Sequence, residues 1–204
     1  MVHSAAENAI APEEELRAQM YDFLGALLAA PPDADLLKKT AALQGDDTPI
    51  GQSISTLARV AKATHEKAAT REFNALFIGL GRGELLPFAS YYMTGFLNEK
   101  PLAALRNDMR AQQIERAANR FEPEDNIASL LEMMAGMIRG RFRGDVGIDE
   151  QRRFFNTHIG PWAEHFFTDL EAARNAVLFA PIGALGRAFI EIEREAFRLA
   201  GDSA

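Results

Sequence analysis

A chain of 204 residues is the size of one domain and buries roughly 70% of its unfolded surface on folding. Apolar residues make up 48% and charged residues 25%, and the mean hydropathy is −0.14, a composition that excludes a largely disordered or membrane-embedded chain. The 22 Lys and Arg against 29 Asp and Glu leave a charge of −7, which disfavours nucleic acid as a ligand and favours a basic partner. With no cysteine, disulfides, thiolate zinc sites, iron–sulfur ligation and a thiol nucleophile are excluded.

Residues 1–11 lack the basic and then apolar regions of an export signal and read as a flexible lead into a cytoplasmic protein. The apolar stretch ending at Pro31-Pro32 is too short to cross a bilayer, so no stable membrane insertion is expected. Valine occurs only at positions 2, 60, 146 and 177, while Ala, Leu, Glu and Arg abound, the profile of helices rather than strands. After Pro12, Leu16, Met20, Phe23, Leu24, Leu27 and Leu28 form a helical stripe that Pro31 ends. A short helix follows over 34–43, then a turn cluster and a long helix, straight or bent, from 52 to about 78. Residues 79–83 read as a Gly-rich loop, followed by the run 86–92 and a further helix over 100–118. Residues 119–123 are a candidate hinge between an N-terminal lobe (12–118) and a C-terminal lobe (124–200). A helix begun by Pro123 carries the stripe Ile127, Leu130, Leu131, Met134 and Ile138. Beyond a connection at 140–149, the last helix starts after Pro181 with Ile182, Leu185, Phe189, Ile192, Ala196 and Leu199 as its packing seam.

Gly79, Gly81 and Gly83 have the look of a phosphate loop, but a helix precedes them, Pro87 follows, and no Walker ending is present. A nucleotide-hydrolysing enzyme built on this loop is therefore a competing reading, and a purely structural adaptor assembling through the last helix is another. No metal site and no cofactor are expected: His158 and His165 would lie about 10.5 Å apart along a continuous helix, and no HExxH or paired ExxH motif occurs. Both histidines read as packing or hydrogen-bonding residues around Trp162, Phe166 and Phe167. No serine lies in a GxSxG elbow, so no catalytic residue is assigned. The polar cluster Glu122-Pro123-Glu124-Asp125-Asn126 stands at a predicted helix start, where carboxylates complement the dipole. Helical spacing aligns Asp125 with Ser129, Glu132 and Gly136, so its carboxylate is expected to face a cleft.

Taken in order, Phe73-x-x-Leu76-Phe77, Pro87-Phe88-Ala89-Ser90-Tyr91-Tyr92 and Glu122-Pro123-Glu124-Asp125-Asn126 resemble the TorD/DmsD/NarJ family of redox-enzyme maturation chaperones over residues 12–199. The run from Phe154 to Phe167 is similar to members associated with formate dehydrogenases. The resemblance implies an all-α protein, a single helical domain of about eight to ten helices in two lobes. It also implies a chaperone that binds the twin-arginine signal peptide of a molybdenum-cofactor enzyme precursor and delays its export until the cofactor is inserted. Carried over residue by residue, it implies a peptide site at Phe73, Leu76, Phe77, Pro87, Phe88, Ser90, Tyr92, Glu122, Pro123, Asp125 and Asn126. Asn126 stands where the family has histidine, and an amide cannot become cationic near neutral pH. A hinge at 119–123 would also allow two chains to form a dimer by exchanging lobes.

Overall fold

Local sequence signals set most of the helix ends. Pro12 lies in the first turn of α1 (Pro12–Ala29), where its missing N–H is no loss, and Glu13, Glu14 and Glu15 follow at the positive end of the dipole. The Asp33 carboxylate caps α2 (Ala34–Ala41) by accepting from the Leu36 N–H at 2.8 Å. The Thr48 hydroxyl does the same for α3 (Pro49–Ala63) from the Gly51 N–H at 3.1 Å. The computed structural model describes residues 10–116, 122–144 and 146–202. Among them are ten α-helices, two π-helical turns and no strand, in agreement with the all-α expectation.

The single helix expected over 52–78 is interrupted. Thr64 and His65 are extended, the Thr64 hydroxyl donates back to the Val60 carbonyl at 2.8 Å, and α4 (Glu66–Phe73) starts a new axis that runs into a π-helical turn, Asn74–Ile78. After α5 (Ala89–Thr94), α6 (Lys100–Ala111) is shorter than expected, because Gln113 adopts φ 58° and Ile114 donates its N–H to the Met109 carbonyl. The expectations for 117–118 and for the hinge at 119–121 lie outside the described residues. α7 (Ile127–Ile138) begins at Ile127 rather than Pro123, since Asn126 is its cap. It is followed by α8 (Ile148–Phe154), a second π-helical turn (Phe155–Ile159), α9 (Ala163–Ala172) and α10 (Phe179–Asp202). The start of α10 falls before Pro181 because the Glu72 carboxylate accepts from the Val177 and Phe179 N–H groups, each at 2.7 Å.

α1 packs along α7, and α10 packs against α9 and α3, with α2 outside α3. One apolar core unites residues on both sides of 117–121, among them Leu105 and Met109 with Leu130 and Met133. Gly186 permits the close crossing of α9 and α10, because a Cβ there would lie 2.2 Å from the Phe167 ring. Two expected stripes are corrected. In α1, Leu16 is 66% exposed while Ala18 and Tyr21 are buried. In α10, Ile192, Ala196 and Leu199 face outward, and the buried line continues from Ile182, Leu185 and Phe189 through Ile190, Glu193 and Phe197.

Glu193 belongs to that line because it has partners. Arg17 donates to both of its oxygens at 2.8 Å, the Tyr21 hydroxyl donates at 2.9 Å, and the guanidinium lies 5.0 Å from the Phe197 ring centroid. Burial pushes the Tyr21 hydroxyl well above its ordinary pKa, and the neighbouring Glu193 carboxylate adds to this. Gln151 accepts from Arg17 at 3.2 Å and donates to the Val146 carbonyl at 3.0 Å, so the cluster ties α1, α8 and α10 together.

A second, partly buried pair links α6 to the second π-helical turn. Asp108 Oδ2 lies 2.7 Å from His158 Nε2 and 3.0 Å from Arg153 Nη1. Burial pushes the imidazole below its ordinary pKa despite the carboxylate beside it. A carboxylate only accepts, so the neutral ring donates from Nε2. The Trp162 indole N–H donates to the His158 carbonyl at 2.7 Å.

Replacing Glu193 by alanine takes the carboxylate from the buried Tyr21 phenol and two bonds from Arg17, which keeps Glu14 at 2.7 Å, and the expected loss in urea denaturation is about 2 kcal/mol; a loss within experimental error would contradict this account of the core. In an NMR titration the His158 ring should become half protonated below the ordinary value of about 6.5, and a midpoint above it would mean that the Asp108 charge outweighs burial.

Candidate functional site

The π-helical turn decides where the first motif points. Phe73 ends α4, and the turn that follows brings Phe77 to 4.9 Å from it, centroid to centroid, with Phe179 of α10 completing an edge-to-face trio at 5.9 and 5.5 Å. Leu76 points into the core and is fully buried. The chain then returns through 79–83 and donates the Glu84 and Leu85 N–H groups to the Ala75 and Leu76 carbonyls at 3.2 and 2.8 Å. Gly79 makes this return at φ 62°, where a Cβ would meet the Arg82 carbonyl at 2.0 Å. A π-helical turn precedes this loop and a non-helical run at 84–88 follows it. The strand and helix N-terminus of a phosphate loop are thus missing among the described residues.

The second and third motifs are stitched to each other. The Ile127 N–H donates to the Pro87 carbonyl and the Ala89 N–H to the Asp125 carbonyl, both at 2.9 Å, forming an isolated antiparallel bridge between Phe88 and Asn126. The Asp125 carboxylate adds a third link, accepting from the Ser90 N–H at 2.8 Å. Asp125 is 1% exposed, which corrects the expectation that it faces a cleft; it precedes α7, so helical spacing does not carry back to it. Its Oδ1 and the Ser90 hydroxyl, also buried, have no hydrogen-bond partner among the described residues.

Asn126 has a local task. Its Oδ1 caps α7 by accepting from the Ala128 N–H at 2.9 Å, while its Nδ2 donates to Glu122 at 3.2 Å. Pro123 shapes the turn, its carbonyl accepting from the Asn126 N–H at 3.3 Å. Glu124 is taken by Arg106, which donates to it at 3.0 and 2.8 Å, and Arg116 is 3.6 Å away. Burial opposes the charge on Glu124, yet the Arg106 guanidinium holds its carboxyl below the usual range.

Two clefts result, and Glu122, exposed at its tip, borders both. The smaller, about 30 Å³, is an apolar slot between Phe73, Phe77, Pro87, Phe88, Leu28 and Ile78, with Glu122 and Asn126 at its rim. The larger, about 540 Å³, has an apolar wall including Met109, Met133 and Phe142, and among its described lining residues five carboxylates stand against two guanidinium groups. Ser129, Glu132 and Gly136 line this cleft, so the polar face read for α7 is present although Asp125 is not on it. Asp22 is among its carboxylates and pairs with Arg139 as well as with Arg141 at 3.8 Å. Tyr92 takes no part in either cleft. Its hydroxyl donates to Asp169 at 2.9 Å, its ring lies against Trp162, and burial pushes its pKa up.

Sequence reasoning missed Leu28 and Ile78 as lining residues. Leu28 is indistinguishable from the rest of the α1 stripe, and Ile78, 52% exposed, owes its place to the π-helical turn. Among the described residues no three His, Asp or Glu converge as metal ligands, and no helix is long and apolar enough to cross a membrane. Asn126→Ala removes the α7 cap, and the expected loss in urea denaturation is about 1 kcal/mol; an unchanged midpoint would show that the cap bond contributes nothing.

The family model described as nitrate reductase delta subunit matches residues 43–168. The chain is 27% identical over 130 residues to the chaperone protein TorD of Vibrio cholerae, a match covering 60% of this chain and 59% of that relative's length. It is 22% identical over 236 aligned residues to the chaperone protein TorD of Colwellia psychrerythraea, covering 96% of this chain and 98% of the relative. A candidate redox enzyme maturation protein from Archaeoglobus fulgidus shares the fold, with a TM-score of 0.56 and 21% identity over 86% of this chain and 94% of the other. With more than half of its residues matched by the family model, the chain belongs to the nitrate reductase delta subunit family, that of TorD and NarJ.

Proposed function

We propose that this chain is a cytoplasmic maturation chaperone that binds the twin-arginine signal peptide of a molybdenum-cofactor oxidoreductase precursor and acts by holding that segment rather than by catalysis. One observation carries the reading: three sequence motifs far apart in the chain line a single apolar slot, and its rim carboxylate, Glu122, also borders a cleft rich in carboxylates. A twin-arginine signal has the complementary pattern, a basic pair followed by an apolar run. The arginine pair meets the carboxylate-rich side and an apolar side chain meets Phe73, Phe77 and Phe88. Ile78 and the fully exposed Leu80 extend the apolar surface beyond the slot. The net charge of −7 favours encounter with a basic peptide. The names of the two TorD relatives support a chaperone. The resemblance of the run from Phe154 to Phe167 to formate dehydrogenase-associated members favours that enzyme class as client.

The test is fluorescence anisotropy with a labelled peptide carrying two adjacent arginines and an apolar segment. Binding should be saturable, weaken as salt rises, and fall roughly tenfold when both arginines become glutamine, a change of about 1.4 kcal/mol. Equal affinity for the glutamine peptide would refute the proposed recognition of the arginine pair.

A further inference from the structure

Asp125 presents a geometry at odds with a residue that greets a ligand. It is 1% exposed and neither cleft reaches it. One oxygen is committed to the Ser90 N–H at 2.8 Å, and its backbone carbonyl holds the Ala89 N–H at 2.9 Å. Its other oxygen lies in the protein interior with no partner among the described residues. A buried carboxylate in that state is poorly solvated, and such groups persist where the bond they make is needed. What the bond holds is the backbone at 87–90. That segment carries Pro87 and Phe88, two walls of the apolar slot, and it is joined to the start of α7 only a few residues from the slot's rim at Glu122 and Asn126.

We infer that Asp125 is a positioning residue for peptide binding: it anchors the Pro87–Phe88 wall of the slot through the Ser90 N–H, while the exposed carboxylate of Glu122 supplies the charge that the peptide meets. The inference rests on the peptide-binding reading above and assigns different tasks to two carboxylates that the sequence places in one acidic cluster. Recognition of the arginine pair does not use the Asp125 charge. The required property at position 125 is a hydrogen-bond acceptor of that length and shape.

Asparagine separates the two roles, because its Oδ1 still accepts from the Ser90 N–H while its charge is gone. The experiment titrates the labelled twin-arginine peptide into full-length wild type, Asp125→Asn, Asp125→Ala and Glu122→Gln, and repeats each titration at raised salt. Asp125→Asn should bind within about threefold of wild type with an unaltered salt dependence, whereas Glu122→Gln should lose affinity by roughly fivefold and show a shallower salt dependence. Asp125→Ala should weaken binding roughly tenfold because the wall is then held by its two backbone bonds alone, and the Ser90 amide should exchange faster in it than in Asp125→Asn. If Asp125→Ala does not fold, the Asp125→Asn and Glu122→Gln titrations decide the matter alone. A loss in Asp125→Asn equal to that in Glu122→Gln, with the salt dependence flattened, overturns the positioning role and makes Asp125 a charge contact. Wild type that binds no twin-arginine peptide overturns the peptide-binding reading itself, and this inference with it.

Discussion

A carboxylate taken out of water must be met by donors, and the way this chain satisfies that constraint organises the rest of it. Glu193 receives three hydrogen bonds from Arg17 and Tyr21, which fixes α1 on α10. Glu124 receives Arg106 of α6, and Asp108 of α6 receives His158 and Arg153, so the C-terminal half of α6 is held by charge to two other parts of the chain. Asp125 receives one N–H, and its other oxygen has no partner among the described residues. The first three are richly partnered and read as architecture. The fourth is thinly partnered, at the point where two of the motif segments meet.

Helix content was legible from apolar spacing and from boundary prolines such as Pro12 and Pro31, because these signals are local. What the sequence concealed depended on partners distant along the chain. Glu193 reads as a surface residue until Arg17 and Tyr21, more than 170 positions away, are brought to it, and the α10 stripe was consequently drawn on the wrong residues beyond Phe189. The start of α7 was misplaced because Pro123 and Asn126 are both good initiators and only the cap bond to Ala128 separates them.

The motif residues illustrate the same division. Phe73, Phe77, Pro87, Phe88, Glu122 and Asn126 surround one slot. Which of them present chemistry and which hold others in place depends on burial, and burial does not follow from the motif. Leu76 and Ser90 lie behind the slot, Tyr92 serves the α9 aromatic cluster, and Asn126 ties the rim together by capping a helix with one end of its amide and holding Glu122 with the other.

The π-helical turns carry a consequence for how this chain tolerates change. A π-turn closes over one residue more than an α-turn, and the chain has one directly after α4 and another directly after α8. Deleting a single residue from 74–76 would restore α-helical spacing, and everything beyond would rotate by about 100° about the helix axis. Phe77 and Ile78 would then leave the slot although neither had been altered. In this segment the number of residues is a stricter requirement than their chemistry, so a substitution there disturbs one side chain whereas an insertion or deletion re-aims a whole wall.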